Sequence, residues 1–217
     1  IATLCFDNPS RRNALGAAEL DAIEHALDSL SAETRVLVVT SSAARVFCAG
    51  ADLSQILDGA LNGDRFQSVT NQIAALPIPT IAVLTGNVFG GGAELALSCD
   101  FRLAREDIVL RIPAAAIGLC YPVDGIERLT RRLGAPLARR MLVAAETFTA
   151  EQMLSLKMVD AVHPEDTLRE AAGNYAQSLL ALAPMAVTSM LEIIRQLESD
   201  ALHRDQAHAL AESCSDS

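Results

Sequence analysis

Two stretches of small residues are places where a backbone could do chemistry. One is Val46-Phe47-Cys48-Ala49-Gly50-Ala51-Asp52-Leu53, and the other is Gly86-Asn87-Val88-Phe89-Gly90-Gly91-Gly92-Ala93-Glu94-Leu95. Each reads as a turn that follows a buried strand and opens a helix. Small residues let a ligand approach the main chain itself, and glycine permits positive φ. The first N–H groups of a helix have no internal partner and carry the positive end of its dipole. Two such turns side by side could aim two N–H groups at one oxygen, where losing one donor typically costs about 100- to 1000-fold in rate. Glu94 lies three residues after Gly91, about one turn on, within reach of a substrate held there. Its alternative is a plain helix cap. Taken alone, these turns put ligand binding only slightly ahead of close packing.

Other chemistries lack their residues. No Lys-Ser/Thr follows the glycines, and their spacing is not that of a dinucleotide site. There is no G-x-S-x-G elbow. His25, His163, His203 and His208 show no metal-ligand spacing, so no metal site is expected. His203 and His208 read as parts of a solvated helix.

The elements that must position these turns follow from periodicity. Strands are expected at residues 1–6, 35–40, 80–84, 101–104, 108–112 and 159–162. Residues 17–30 and 64–76 have helical spacing, and a helix over 93–99 follows the second turn. The chain turns helical after Gly125, with Gly134 and Pro136 as punctuation. Thr149 with Gln152 resembles a capping box. Two long amphipathic helices are expected at about 164–182 and 184–197, each with proline in its first turn. Alternation followed by helices predicts an α/β fold with a helical C-terminal part.

With 217 residues the chain can build one sizeable core, and its formal charge of −10 argues against nucleic acid or anionic membrane as a partner. Arg128, Arg131, Arg132, Arg139 and Arg140 read as solvated helix faces. Cys5, Cys48, Cys99, Cys120 and Cys214 read as free thiols in a reducing compartment. No apolar run reaches membrane-spanning length and no signal peptide opens the chain, so the cytoplasm is the expected location.

Phe47-Cys48-Ala49-Gly50-Ala51-Asp52-Leu53 resembles the F-x-A-G-x-D motif of the crotonase (enoyl-CoA hydratase/isomerase) family. Gly90-Gly91-Gly92-Ala93-Glu94-Leu95-Ala96-Leu97-Ser98-Cys99-Asp100 resembles its G-G-G-x-E-L-A-x-x-C-D motif. Asn8-Pro9 with Asn13-Ala14-Leu15, and Ile117-Gly118-Leu119 with Arg128-Leu129 and Gly134, match its flanking blocks. The likeness is collinear from residue 1 to about 199. It implies a crotonase-like ββα superhelix with a helical C-terminal extension, divided as a core with the CoA site at 1–134 and a helical oligomerisation region at 135–217. The C-terminus reads as cut short relative to the family. It also implies an acyl-CoA thioester as partner, coenzyme A as part of the substrate with no separate cofactor, and a homotrimer or dimer of trimers.

By the same resemblance, the Ala51 and Gly91 N–H groups form an oxyanion hole and Glu94 is catalytic. Ala49, Asp52 and Leu53 line the adenine end of the CoA site, and Arg11 or Arg12 lies near its phosphates. The family's hydratases use a second glutamate, and Ala114 stands at its place. Asp124 is the nearest replacement, with a helix N-cap as its simpler role. Tyr121 could offer a hydroxyl, with packing the simpler reading. The expected activity is hydration of a 2-enoyl-CoA. The alternatives are a double-bond shift using Glu94 alone and non-catalytic acyl-CoA binding.

Overall fold

The computed structural model describes residues 1–43, 45–199 and 201–213. The chain winds as a spiral in which two strands and then helix form each turn. It opens with β1 (Ala2–Phe6), β2 (Ala14–Leu15) and α1 (Ala17–Asp28). The next turn is β3 (Leu37–Ser41), β4 (Val46–Cys48), β5 (Gly50–Ala51), α2 (Leu53–Leu57) and α3 (Gly63–Ala74). Then come β6 (Thr80–Leu84), β7 (Asn87–Phe89) and α4 (Gly91–Ser98), followed by β8 (Phe101–Arg105), β9 (Val109–Arg111), α5 (Val123–Leu133) and α6 (Ala135–Leu142). The rest is β10 (Thr147–Thr149), α7 (Ala150–Ser155), β11 (Ala161–His163), α8 (Glu165–Leu180), α9 (Pro184–Glu198) and α10 (Arg204–Ser213).

Strands β1, β3, β6 and β8, the first of each turn, enter one sheet, β4, β7 and β9 enter another, and β2 pairs with β5 in a short third sheet. The larger sheet is parallel throughout, in the order β1-β3-β6-β8-β11, and the smaller runs β10-β9-β7-β4. Strands β3 and β6 are nearly continuous apolar runs because both of their faces are covered, as parallel sheets require. Helix α4 runs through the centre, and from Gly92 to Ser98 every residue is buried. Its end is tied down by Asp100, whose carboxylate accepts from the Thr80 amide at 2.8 Å and pairs with Arg195 of α9 at 3.2 Å. A second apolar cluster packs Leu168, Ala172 and Ala176 of α8 onto Ile81, Val83 and Leu103 of the larger sheet.

Several boundaries differ from the sequence expectation. The two small-residue turns contain strands β4, β5 and β7, which are too short to show a period of two. The strand expected at 159–162 pairs only from Ala161, because Met158 and Val159 are drawn into the core. Pro164 sits before the first turn of α8 as its N-cap, whereas Pro184 opens α9 as expected. Residues 135–217 are not only helical: β10 pairs with β9 and β11 with β8, so the core continues across residue 134. The Thr149–Gln152 capping box is present at α7. Cys5, Cys48, Cys99 and Cys120 are free thiols, and Cys214 lies outside the described residues.

Candidate active site

The two small-residue segments meet backbone to backbone. Gly50 has φ +84°, and a Cβ there would lie 2.4 Å from the Gly91 nitrogen and 2.9 Å from the Phe89 carbonyl oxygen. A Cβ on Gly92 would lie 2.5 Å from the Cys48 carbonyl oxygen. These glycines are therefore required by contact between the turns as well as by conformation. Gly50→Ala is expected to cost at least about 2 kcal/mol, from left-handed strain and backbone clash together, which lowers Tm by about 4–8 °C in a chain this size. Thermal unfolding followed by circular dichroism checks it.

Asn13 holds the first turn from behind. Its buried side-chain amide donates to the Ser41 hydroxyl at 2.8 Å and the Phe47 carbonyl at 3.0 Å. The Cys48 thiol donates to the Asn13 carbonyl at 3.3 Å, and burial pushes that thiol up to about 12. Cys48 is thus a packing residue rather than a nucleophile. Strand β5 pairs in parallel with β2, and the Asp52 N–H donates to the Leu15 carbonyl at 2.9 Å. Successive N–H groups of extended backbone point to opposite sides, so the Ala51 N–H is turned away from β2. Gly91 is the first residue of α4, where the N–H has no partner within the helix.

Ala51 and Gly91 both line a cavity of about 270 Å³. Its walls include Ala49, Ala51, Leu53, Gly91 and Glu94, so these residues singled out in the sequence come together. Phe66, Ala114, Ile117 and Tyr121 add an apolar lining. Glu94 is the only carboxylate among the described residues that line it. Asp52 stands one step back as the N-cap of α2, accepting from the Ser54 N–H at 3.0 Å and pairing with Arg11. The Ser54 hydroxyl, ahead of the Gln55 and Ser54 amides and the Arg11 charge, holds the Asp52 carboxyl below its usual range. Arg11 is half-exposed and is brought to Asp52, outside the cavity wall.

Asp124 is not brought to this cavity. It is exposed at the start of α5 and lines a separate groove of about 460 Å³ with Arg128 and Arg131. Nor is it the helix cap, because α5 begins at Val123 with Pro122 as its N-cap. Proline there lets the helix start two residues earlier than the Asp124–Glu127 spacing suggests.

Glu94 is fully buried and caps nothing. One of its oxygens accepts from the Gln67 side-chain amide at 3.1 Å, and the other from the Thr70 hydroxyl at 3.3 Å. The Arg128 guanidinium lies 3.7 Å away. Burial dominates and raises the carboxyl above its ordinary range, against the opposing help of Gln67, Tyr121, Arg128 and Thr70. The arginines of α5 are therefore not all solvated. Arg128 faces Glu94, and Arg132 donates to the Cys99 carbonyl at 2.7 Å, closing the end of α4. Their spacing with Gly125 and Leu129 is that of one buried helix face, which is the signal that marks them.

An amide pair facing an apolar cavity can hold a carbonyl oxygen and stabilise negative charge on it. A buried carboxyl with a raised pKa can give and take protons near neutral pH. Comparison with known proteins gives the family. The model of the enoyl-CoA hydratase/isomerase family matches residues 1–212, and the chain belongs to that family. It is 35% identical to the mitochondrial enoyl-CoA hydratase domain-containing protein 2 of Bos taurus, over 92% of this chain and 72% of that protein. It is 32% identical to the 2,3-dehydroadipyl-CoA hydratase of Escherichia coli K12, over 93% of this chain and 81% of that protein. The crystal structure of an enoyl-CoA hydratase from Bacillus anthracis superposes with a TM-score of 0.88 at 25% identity, covering 99% of this chain and 85% of that one.

Proposed function

We propose that this chain hydrates the double bond of a 2-enoyl-CoA thioester. The observation that carries the reading is one apolar cavity shared by the Ala51 and Gly91 backbone and the Glu94 carboxyl. The thioester oxygen sits between the two amides. Water adds through its oxygen to C3 while Glu94 takes one of its protons. The electron pair of the C2–C3 π bond moves to the thioester oxygen as an enolate, which the amides stabilise. Glu94 then returns the proton to C2, the enolate collapses, and the carboxylate is restored. Coenzyme A belongs to the substrate, and no separate cofactor enters. Its adenine end lies along Ala49, Asp52 and Leu53, with Arg11 towards the phosphates.

A second reading has a specific observation behind it. Ala114, at the place of the family's second glutamate, presents a methyl group to the cavity. With one carboxylate, a 3-enoyl-CoA could be converted to the 2-enoyl isomer. Glu94 would remove a proton from C2 and return it at C4. The exposed apolar side chains Met185, Met190, Ile194 and Leu197 on α9 support an oligomer, which we place as a trimer or a pair of trimers in the cytoplasm.

Crotonyl-CoA and a 3-enoyl-CoA, each followed by the enoyl-thioester chromophore, separate the readings. Loss of the crotonyl-CoA chromophore supports hydration, and gain of it from the 3-enoyl substrate supports the double-bond shift. Bound thioester with neither change would leave a binding protein. Hydration begins with ionised Glu94, so kcat/KM falls as pH drops through the pKa of that group. Because burial raises it, that acid limb is expected above the ordinary carboxylate range, and a pH–rate profile of the wild type checks it.

A further inference from the structure

Gly125 on α5 makes a notch beside Glu94. A Cβ there would lie 2.5 Å from the Tyr121 ring and 2.7 Å from a Glu94 carboxylate oxygen. Only a residue without a side chain lets the ring and the carboxylate flank the same spot. The Tyr121 hydroxyl is buried and has no hydrogen-bond partner of good geometry among the described residues, although its nearness favours the Glu94 anion. The side-chain carbonyl oxygen of Gln67, whose amide group bonds Glu94, is buried without a partner among the described residues as well. Leaving such a group unpaired costs about 1–3 kcal/mol. Tyr121, Gln67, Glu94 and Ala114 all line the one cavity.

From this juxtaposition we infer that the Tyr121 hydroxyl is a further catalytic group, which holds the attacking water together with Glu94. This rests on the hydratase reading above. A water that must be aimed at C3 needs two acceptors, one for each hydrogen. Glu94 accepts the hydrogen that is transferred. The Tyr121 oxygen accepts the other, and its own hydrogen is donated to Glu94. Tyr121 exchanges no proton, so the balance of the reaction is unchanged. Burial, with the Glu94 charge behind it, raises the phenol well above its usual range, and the hydroxyl stays protonated throughout the working pH. The hydroxyl thus supplies the second hold on water that Ala114 lacks. A double-bond shift uses no water and should not need it.

The test compares wild type, Tyr121→Phe, Glu94→Gln and the double variant Tyr121→Phe/Ala114→Glu. Hydration of crotonyl-CoA, C2 proton exchange of a saturated acyl-CoA in deuterium oxide, and thioester binding are measured on each. Tyr121→Phe is expected to lower hydration kcat by about 10- to 100-fold. Binding should stay within about twofold of wild type, because no contact to the thioester is removed, and C2 exchange, which feels Tyr121 only through Glu94, should fall much less than hydration. The double variant should regain most of the lost rate. Unchanged hydration in Tyr121→Phe, or a parallel fall of hydration, exchange and binding, would overturn the proposal while Glu94→Gln still reports on the hydratase reading. A wild type that binds thioester and exchanges C2 protons without hydrating would overturn both.

Discussion

Glu94→Gln is expected to lower turnover of crotonyl-CoA by about 100- to 10,000-fold, the usual range for loss of a positioned acid/base. Thioester affinity should change little, because in the proposed reaction the carboxylate meets the reacting carbons and not the bulk of coenzyme A. Glutamine keeps the length and shape of the side chain and can still meet Gln67 and Thr70, which hold Glu94 at 3.1 and 3.3 Å. It cannot accept a proton at neutral pH. The burial that raises the Glu94 pKa also makes the site unforgiving: no other carboxylate among the described residues lines the cavity to take over. Steady-state rates set beside equilibrium binding of the same thioester check the prediction. Equal turnover by the two proteins would remove Glu94 from the chemistry.

The second large effect belongs to a group that side-chain mutagenesis cannot reach. Replacing Ala51 by lactic acid turns its amide into an ester, which deletes one N–H and leaves the methyl group in place. Loss of one oxyanion donor is expected to cost about 100- to 1000-fold in kcat. The fold should survive, because the Asp52 amide beside it still donates to Leu15 and β5 keeps its pairing with β2. The ground-state carbonyl is a weaker acceptor than the enolate, so KM should move much less than kcat. A parallel rise in KM would mean that the amide binds substrate without stabilising the enolate.

Which parts of the site were legible in the sequence follows from what each residue does. Ala51, Gly91 and Glu94 lie within short segments where backbone contact excludes larger residues, so their types and spacing mark the cavity that they line together. Gly50 and Gly92 show why: either turn would collide with the other if it carried a Cβ. Gln67 and Thr70 were not singled out, and Arg128 was read as part of a solvated helix face, because their contacts with Glu94 depend on α3 and α5 converging on α4. Gln67 and Thr70 nevertheless share a buried face with Phe66 and Ile73 at helical spacing, and Arg128 does the same with Gly125 and Leu129. A polar residue on an apolar helix face was the readable sign.

The fold was legible where elements are long. Strands β1, β3 and β6 and helices α1, α3 and α9 fall close to their expected positions, since each buries a periodic apolar set. Strands β2, β5 and β10 were missed, because two or three residues cannot display a period and their stability comes from the neighbour they pair with. Asp124 was misplaced for a related reason. Its spacing to Glu127 imitates a cap, but Pro122 starts α5 earlier and turns Asp124 towards the outer groove.

The most direct test of the central claim is a crystal structure of the chain with a bound acyl-CoA. The thioester oxygen is expected at about 2.7–3.1 Å from both the Ala51 and Gly91 nitrogens, the distance of an oxyanion-hole donor, with the acyl α-carbon facing Glu94. An acyl group seated elsewhere, such as the groove beside Arg128 and Arg131, or a thioester oxygen that meets neither amide, would contradict it.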